Sequence, residues 1–143
     1  MQLRIVVIDD EECITETFHC HLSDQGHDVI TASEPTTCCV YRGDRCDHEH
    51  ACADILFVDL NMPRMNGLEF VELLETKGCK SVARNRVIMS GALTDEDRAK
   101  ARQLGCKIID KPISLRTIDR LIDELSGNIP ADRQLAELNS HVK

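Results

Sequence analysis

The chain has 143 residues and a formal net charge of -8 at pH 7, which fits one domain with a single buried core and leaves no room for a second domain of ordinary size. The acidic balance, with no window dense in Lys and Arg, argues against direct nucleic-acid binding, and no apolar stretch approaches a membrane span. Residues 1–10 carry one cation and six apolar residues before an acidic pair, too short a run for a secretory signal, so the eight cysteines read as thiols and the cytoplasm is the expected compartment.

The first apolar run, residues 3–8, stops at Asp9, Asp10 and Glu11. Ile14, Phe18 and Leu22, joined by Thr17 and His21, then share one face of a first helix that ends at Gly26, with His21 at the edge of the core. The second run, residues 28–32, ends in no polar group of this kind. After it, Cys38, Cys39, Val40 and Tyr41 support only a short second helix, and residues 42–53 form a polar loop longer than the usual connection, an insertion. The third run, residues 54–58, stops at Asp59. Leu68, Val71, Leu73 and Leu74 give the third helix its buried side, opened by Asn66-Gly67 and closed near Lys77-Gly78. The fourth run, residues 86–89, stops at Ser90-Gly91. Thr94 reads as the N-cap of a fourth helix, with Asp95, Glu96 and Asp97 in the first turn, where the helix dipole favours acids, and Gly105 as its stop. The fifth run, residues 107–109, stops at Asp110-Lys111-Pro112. Ser114 opens a fifth helix with Leu115, Ile118, Leu121, Ile122 and Leu125 facing inward.

Five strands and five helices in βα order predict a doubly wound α/β domain over residues 1–126, a parallel sheet with helices on both faces. Residues 127–143 form a tail. Ser126-Gly127-Asn128 breaks the fifth helix, and Pro130 opens a short helix with Leu135, Leu138 and Val142 on one face.

In such a sheet, ligands bind outside the carboxyl ends of the strands, so four of the five run endings collect in one crevice. One pair of acids at a strand end is a weak signal. Two acids after strand one, an Asp after strand three, a hydroxyl after strand four and Lys-Pro after strand five form a specific set. The carboxylates of Asp9, Asp10 and Asp59 repel one another, which raises their pKa values unless a cation is present. A hard divalent ion, Mg²⁺ or Mn²⁺, suits these all-oxygen ligands. Asp59 is the candidate nucleophile, able to form an aspartyl-phosphate. Lys111 supplies a cation for the phosphoryl oxygens, Ser90 a hydroxyl within reach of them, and Gly91 room for the phosphate to enter.

At these residues the chain resembles the receiver domains of bacterial two-component response regulators, the CheY-like family, over roughly residues 3–126. The strongest part is Val58-Asp59-Leu60-Asn61-Met62-Pro63-Arg64-Met65-Asn66-Gly67-Leu68-Glu69-Phe70, which is similar to that family's phosphoacceptor segment almost letter for letter. The resemblance implies a five-stranded, flavodoxin-like sheet of order 2-1-3-4-5. It implies phosphorylation of Asp59, direct metal contact by Asp10 and Asp59, contact by Asp9 mainly through water, and a backbone carbonyl ligand from Asn61. Ser90 would be the switch hydroxyl, Lys111 the partner of the acyl phosphate, and Lys111-Pro112 a cis bond. The donor would be a histidine kinase or histidine phosphotransfer protein. A downstream protein would meet the fourth helix, the fifth strand and the fifth helix, and two copies could pair through those helices. Such a chain is a signalling domain whose chemistry is confined to metal-dependent self-phosphorylation and self-dephosphorylation. Many receivers carry an aromatic residue where this chain has Ile108, so an aromatic rotamer switch is absent. Haloacid-dehalogenase-type phosphatases place a second Asp two residues after the nucleophile, where this chain has Asn61.

One feature lies outside that resemblance. Cys38, Cys39, Cys46, His48, His50 and Cys52 hold enough thiol and imidazole for a tetrahedral zinc site, although their spacing matches no standard finger. A solvated polar insertion and a redox-active disulfide are the other readings. A metal- or redox-sensing binding module on a receiver scaffold is therefore the alternative function. Cys13, Cys20, Cys79 and Cys106 read as packing residues, and His19, His27 and His141 as surface residues.

Overall fold

The computed structural model describes residues 2–34, 50–62, 64–78 and 83–136. Its elements are β1 (Arg4–Ile8), α1 (Glu12–Asp24), β2 (Asp28–Ala32), β3 (Ile55–Asp59), α2 (Gly67–Thr76), β4 (Arg86–Ser90), α3 (Asp95–Gln103), β5 (Lys107–Asp110) and α4 (Leu115–Ser126), with a 3₁₀ turn at Ala83–Asn85 before β4. The five strands form one parallel sheet of order β2-β1-β3-β4-β5, as expected from the sequence. Register runs across its centre through Val6 with Ile30 and Leu56, and Val58 with Ile88.

Alternation along the strands sorts the core into two layers, because successive strand side chains point to opposite faces. Ile5, Val7, Ile55, Phe57, Val87 and Met89 pack with Phe18 and Leu22 of α1 and Ile118, Leu121, Ile122 and Leu125 of α4. Val6, Ile8, Leu56, Val58 and Ile88 pack with Leu68, Phe70 and Val71 of α2 and Ala101 of α3. The central strands are therefore covered on both sides, which is why they read as near-continuous apolar runs. Phe18 and Phe57 meet with ring centroids 4.8 Å apart at a tilt of 52°, an arrangement that favours the aromatic quadrupoles.

Caps define the helix starts. Asn66 and Glu69 form a capping box at α2, and Thr94 and Asp97 form another at α3. The Ser114 side chain accepts from the Thr117 amide at α4.

Several sequence expectations are corrected. Leu115 faces solvent, 46% exposed, because α4's first turn projects beyond the layer that Ile118 to Leu125 cover. On α2, Leu73 and Leu74 are only half-buried, while Phe70 fills the core. Cys13 and Cys20 are exposed rather than packed. His27 is half-buried, and its Nδ1 accepts from the Leu3 amide at 3.1 Å. Residues 130–136 make a turn and then a bridge from Leu135 to Ala51, not the start of a helix. Leu138 and Val142, and the short second helix expected at Cys38–Tyr41, lie outside the described residues. Among the described residues no helix is long and apolar enough to cross a membrane.

The two ends of α4 differ in a way denaturation can measure. Leu125→Ala, at a fully buried site, is expected to lower unfolding free energy by about 2–5 kcal/mol. Leu115→Ser is expected to change it by no more than about 0.5 kcal/mol.

Candidate functional site

The carboxyl ends of β1, β3, β4 and β5 meet where strand order reverses, and the polar residues that end those strands meet there too. Asp9 follows β1 and is buried, while Asp10 beside it is exposed. Asp59 ends β3 and is buried. One carboxylate oxygen from each of the three lies within 4.8 Å of the other two, the metal-competent group found among the described residues. Lys111 follows β5, and its Nζ lies 2.8 Å from Asp9 Oδ2, 3.0 Å from Glu11 Oε1 and 3.3 Å from Asp59 Oδ1. The Asp9 contact is ionic rather than a well-aligned hydrogen bond, and that buried oxygen accepts none.

Backbone amides tighten the carboxylates. Asp9 Oδ1 accepts from the Glu11 amide at 2.8 Å, and Asp59 Oδ1 from the Asn61 amide at 3.3 Å. The strand ends are cross-tied as well, since the Leu60 amide donates to the Met89 carbonyl and the Lys111 amide to the Ser90 carbonyl. Ser90 ends β4 fully buried, and its Oγ accepts from the Ala92 amide at 3.0 Å, leaving the hydroxyl proton free to donate. The Lys111-Pro112 peptide is cis.

Three carboxylates, those of Asp9, Glu11 and Asp59, thus share one ammonium, with the Asp10 carboxylate close beside them. Burial, and then the charge of Asp9, push the Asp59 pKa up to about 6, against the opposing pull of Lys111 and the Asn61 amide. Burial likewise raises Asp9, outweighing its contacts with Lys111 and the Glu11 amide. Burial alone would lower the Lys111 pKa, but its close contacts with the Asp9 and Glu11 carboxylates outweigh it and hold the amine above its ordinary value. The remaining negative charge suits a hard divalent cation. The 4.8 Å spread is slightly more than the roughly 4.2 Å across an octahedral Mg²⁺, so a small contraction, or one contact through water, accommodates the ion.

Two glycines at the site differ. A Cβ at Gly67 would sit 2.7 Å from the Asp59 carbonyl oxygen, so only glycine lets α2 begin against the end of β3. At Gly91 a Cβ would meet nothing within 4 Å, which leaves open space on that side of the crevice.

A family model described as the response regulator receiver domain matches residues 5–123. The chain belongs to that family. Among curated proteins the receiver is 29% identical over 138 residues to the alkaline phosphatase synthesis transcriptional regulatory protein SphR of Synechococcus elongatus, covering 90% of this chain and 52% of SphR. It is 29% identical over 131 residues to protein PilG of Pseudomonas aeruginosa, covering 90% of this chain and 89% of PilG. The receiver spans about half the length of the transcriptional regulators it matches. Among solved structures, the Vibrio cholerae chemotaxis protein CheY4 superposes with a TM-score of 0.68 at 19% identity, covering 87% of this chain and 99% of that one. At that identity the likeness establishes the fold. Receiver domains are signalling domains that bind Mg²⁺ at an acidic pocket and interact with histidine kinases and downstream targets.

The site residues named from sequence come together at these strand ends. Two contributors were missed. Glu11 was read only as part of an acidic run, yet it holds Lys111, and its place directly after Asp9-Asp10 was the available signal. Gly67 was read as a helix opener, and its close approach to Asp59 has no sequence signal beyond being glycine. Of the Cys/His cluster, Cys38, Cys39, Cys46 and His48 lie outside the described residues. His50 is half-buried, and Cys52 packs partly against the α2 side of the core. Burial pushes the Cys106 thiol up to about 11, which makes it a poor nucleophile.

Two measurements follow from this geometry. Because the folded Asp59 pKa of about 6 lies above its ordinary 3.8, the ionised carboxylate costs stability, fully above pH 6 and not at all well below pH 4. In EDTA, Asp59→Asn is therefore expected to raise unfolding free energy by about 1–3 kcal/mol at pH 8, a gain that disappears by about pH 3.5. Gly67→Ala is expected to lose about 1–3 kcal/mol from the forced backbone shift, and Gly91→Ala no more than about 0.5 kcal/mol, both read by urea denaturation.

Proposed function

We propose that this chain is a single-domain response regulator that accepts a phosphoryl group on Asp59 from a histidine kinase or histidine phosphotransfer protein in the cytoplasm, and signals by protein contact. The observation that carries this reading is the buried Asp59 carboxylate at a strand end, with the carboxylates of Asp9 and Asp10 and the Lys111 ammonium gathered around it. The match to PilG, which extends over 89% of that protein, supports a stand-alone form, whereas the transcriptional regulators are about twice as long as the matched region.

The ionised Asp59 attacks the phosphorus of a phosphohistidine. A P–O bond to Asp59 forms as the P–N bond to the donor imidazole breaks, and the imidazole leaves with the bonding pair. Asp10 and Asp59 directly, Asp9 mainly through water, and the Asn61 carbonyl would hold Mg²⁺ or Mn²⁺, which supplies charge neutralisation at the phosphoryl oxygens. Lys111 keeps its charge throughout and pairs with one of those oxygens, giving up part of its contact with Asp9 and Glu11. The Ser90 hydroxyl donates to another, drawing on the proton that its contact with Ala92 leaves free.

Movement of Ser90 pulls the segment that begins at Gly91, and this biases the surface made by α3, β5 and α4. On that surface Arg98 faces Asp110 at 3.9 Å and Lys107 pairs with Glu124. Ile108 stands half-buried at the position where many receivers switch an aromatic, so the response runs through Ser90 and the backbone. The same surface would meet the downstream protein, or a second copy.

Intact mass measures this directly. Incubation with Mg²⁺ and a small acyl-phosphate donor is expected to add one phosphoryl group, which is lost in Asp59→Asn and in EDTA. Lys111→Ala is expected to slow the addition about 10²-fold. Failure of a phosphohistidine donor to produce any adduct overturns the assignment.

A further inference from the structure

The family match ends at residue 123, yet after α4 the residues Asn128, Ile129, Arg133, Leu135 and Ala136 are tied to the body of the domain. Ile129 is buried in the α1–α4 layer. Asn128 Nδ2 donates to Asn85 Oδ1 at 2.8 Å, and Asn85 Nδ2 in turn donates to the carbonyls of Asp54 and Leu125. Arg133 then reaches the buried Asp54, with Nε 2.9 Å from Oδ1 and Nη2 2.7 Å from Oδ2, a two-pronged match of guanidinium to carboxylate. The same Nη2 donates to the Gln2 carbonyl at 2.7 Å. Three residues on, the Ala136 amide donates to the Ala51 carbonyl at 2.8 Å, and the Ala136 carbonyl accepts from Arg4 Nη1 at 2.7 Å.

The receptor for this segment lies at the amino end of the sheet. Asp54 directly precedes β3, with its side chain 3% exposed, and it also accepts from the Arg4 amide at 2.8 Å. Arg4 opens β1 and holds the Cys52 carbonyl as well. Backbone groups of residues 2 and 51 and the side chains of Arg4, Asp54 and Asn85 therefore converge on one strip of chain. A carboxylate this buried is stable in charged form only with a partner that also satisfies its hydrogen-bonding capacity, and the Arg133 fork supplies one.

We propose that this end of the sheet is a peptide-binding site, occupied in cis by residues 127–136, that recognises a segment with a turn leading into an arginine three positions before a small buried residue. The tail is then a latch and not a loose linker. β3 spans five residues, roughly 16 Å, so the latch sits a full strand length from Asp59. Its physical consequence is coupling. The tail and the segment at 51–52, where the Cys/His-rich insertion rejoins the sheet, share the same hydrogen bonds, so displacing either one loosens the other.

Native-state hydrogen exchange on the full-length protein tests the latch, with Arg133→Ala and the charge-retaining Arg133→Lys. Arg133 is partly exposed and outside the phosphate site, so both variants are expected to fold and to accept phosphate at the wild-type rate. The expected result is at least tenfold loss of protection at the Ala136 amide in Arg133→Ala and a smaller loss in Arg133→Lys, with the β4 and β5 amides unchanged. Unchanged protection in both variants overturns the proposal. Sedimentation separates cis from exchanged tails. A monomer with a protected tail supports the latch, whereas protection that appears only with dimer formation overturns its cis form.

Discussion

One buried strand with an aspartate at each end governs this molecule. β3 is covered on every residue from Ile55 to Asp59, between β1 and β4 at the centre of the sheet. Asp54 before it and Asp59 at its end are both withdrawn from water. Isolated carboxylates in that setting carry a desolvation penalty that the apolar core does nothing to relieve. Each is answered by a cation from far along the chain, Asp54 by Arg133 and Asp59 by Lys111. The answers differ in completeness. Asp54 receives a two-pronged partner and a backbone amide. Asp59 shares one ammonium with two further acids and has a raised pKa. One end of the strand is satisfied, while the other retains excess negative charge that suits a divalent cation.

The same contrast separates what could be read from sequence from what could not. Apolar alternation and capping residues are local signals, and they located the strands and the starts of α2, α3 and α4 at Asn66, Thr94 and Ser114. The candidate site was legible where its residues, Asp9, Asp59, Ser90 and Lys111, lie at or just after the ends of apolar runs, which a parallel sheet necessarily gathers. Leu115 was misplaced because helical periodicity reports a stripe but not where the neighbouring layer ends. Phe70 was passed over in favour of Leu73 and Leu74 because periodicity alone does not set how far α2 is rotated toward the sheet. The latch was invisible for a different reason. It depends on pairs separated by 79 and 132 residues, and nothing local to Arg133 or Ala136 marks them as bound.

Charge balance also explains why Glu11 belongs with the site. It is exposed, and although it is the N-cap of α1 its side chain accepts no capping hydrogen bond, yet it holds Lys111 at 3.0 Å on the solvent side while Asp9 holds it from below. Lys111 is therefore suspended between an outer and an inner acid, in reach of Asp59 but not committed to it. A phosphoryl group on Asp59 would bring additional oxygens into that balance and draw the ammonium inward. The weaker, exposed Glu11 contact gives way first, because ion pairs in water are worth little.

Both ends of β3 are fixed to rigid neighbours, which limits how a change at Asp59 can travel. The strand cannot slide, since its register with β1 and β4 is held by continuous ladders and its far end is clamped at Asp54. Gly67 seats α2 against the Asp59 carbonyl with no slack for a methyl group. Ser90 sits at the other side of the crevice, where its Oγ is held by the amide of Ala92 in an exposed loop. That loop leads into α3, whose face toward the sheet buries Ala101 alone. The compliant route away from the candidate site is thus through β4's end and α3 rather than through β3 or α2.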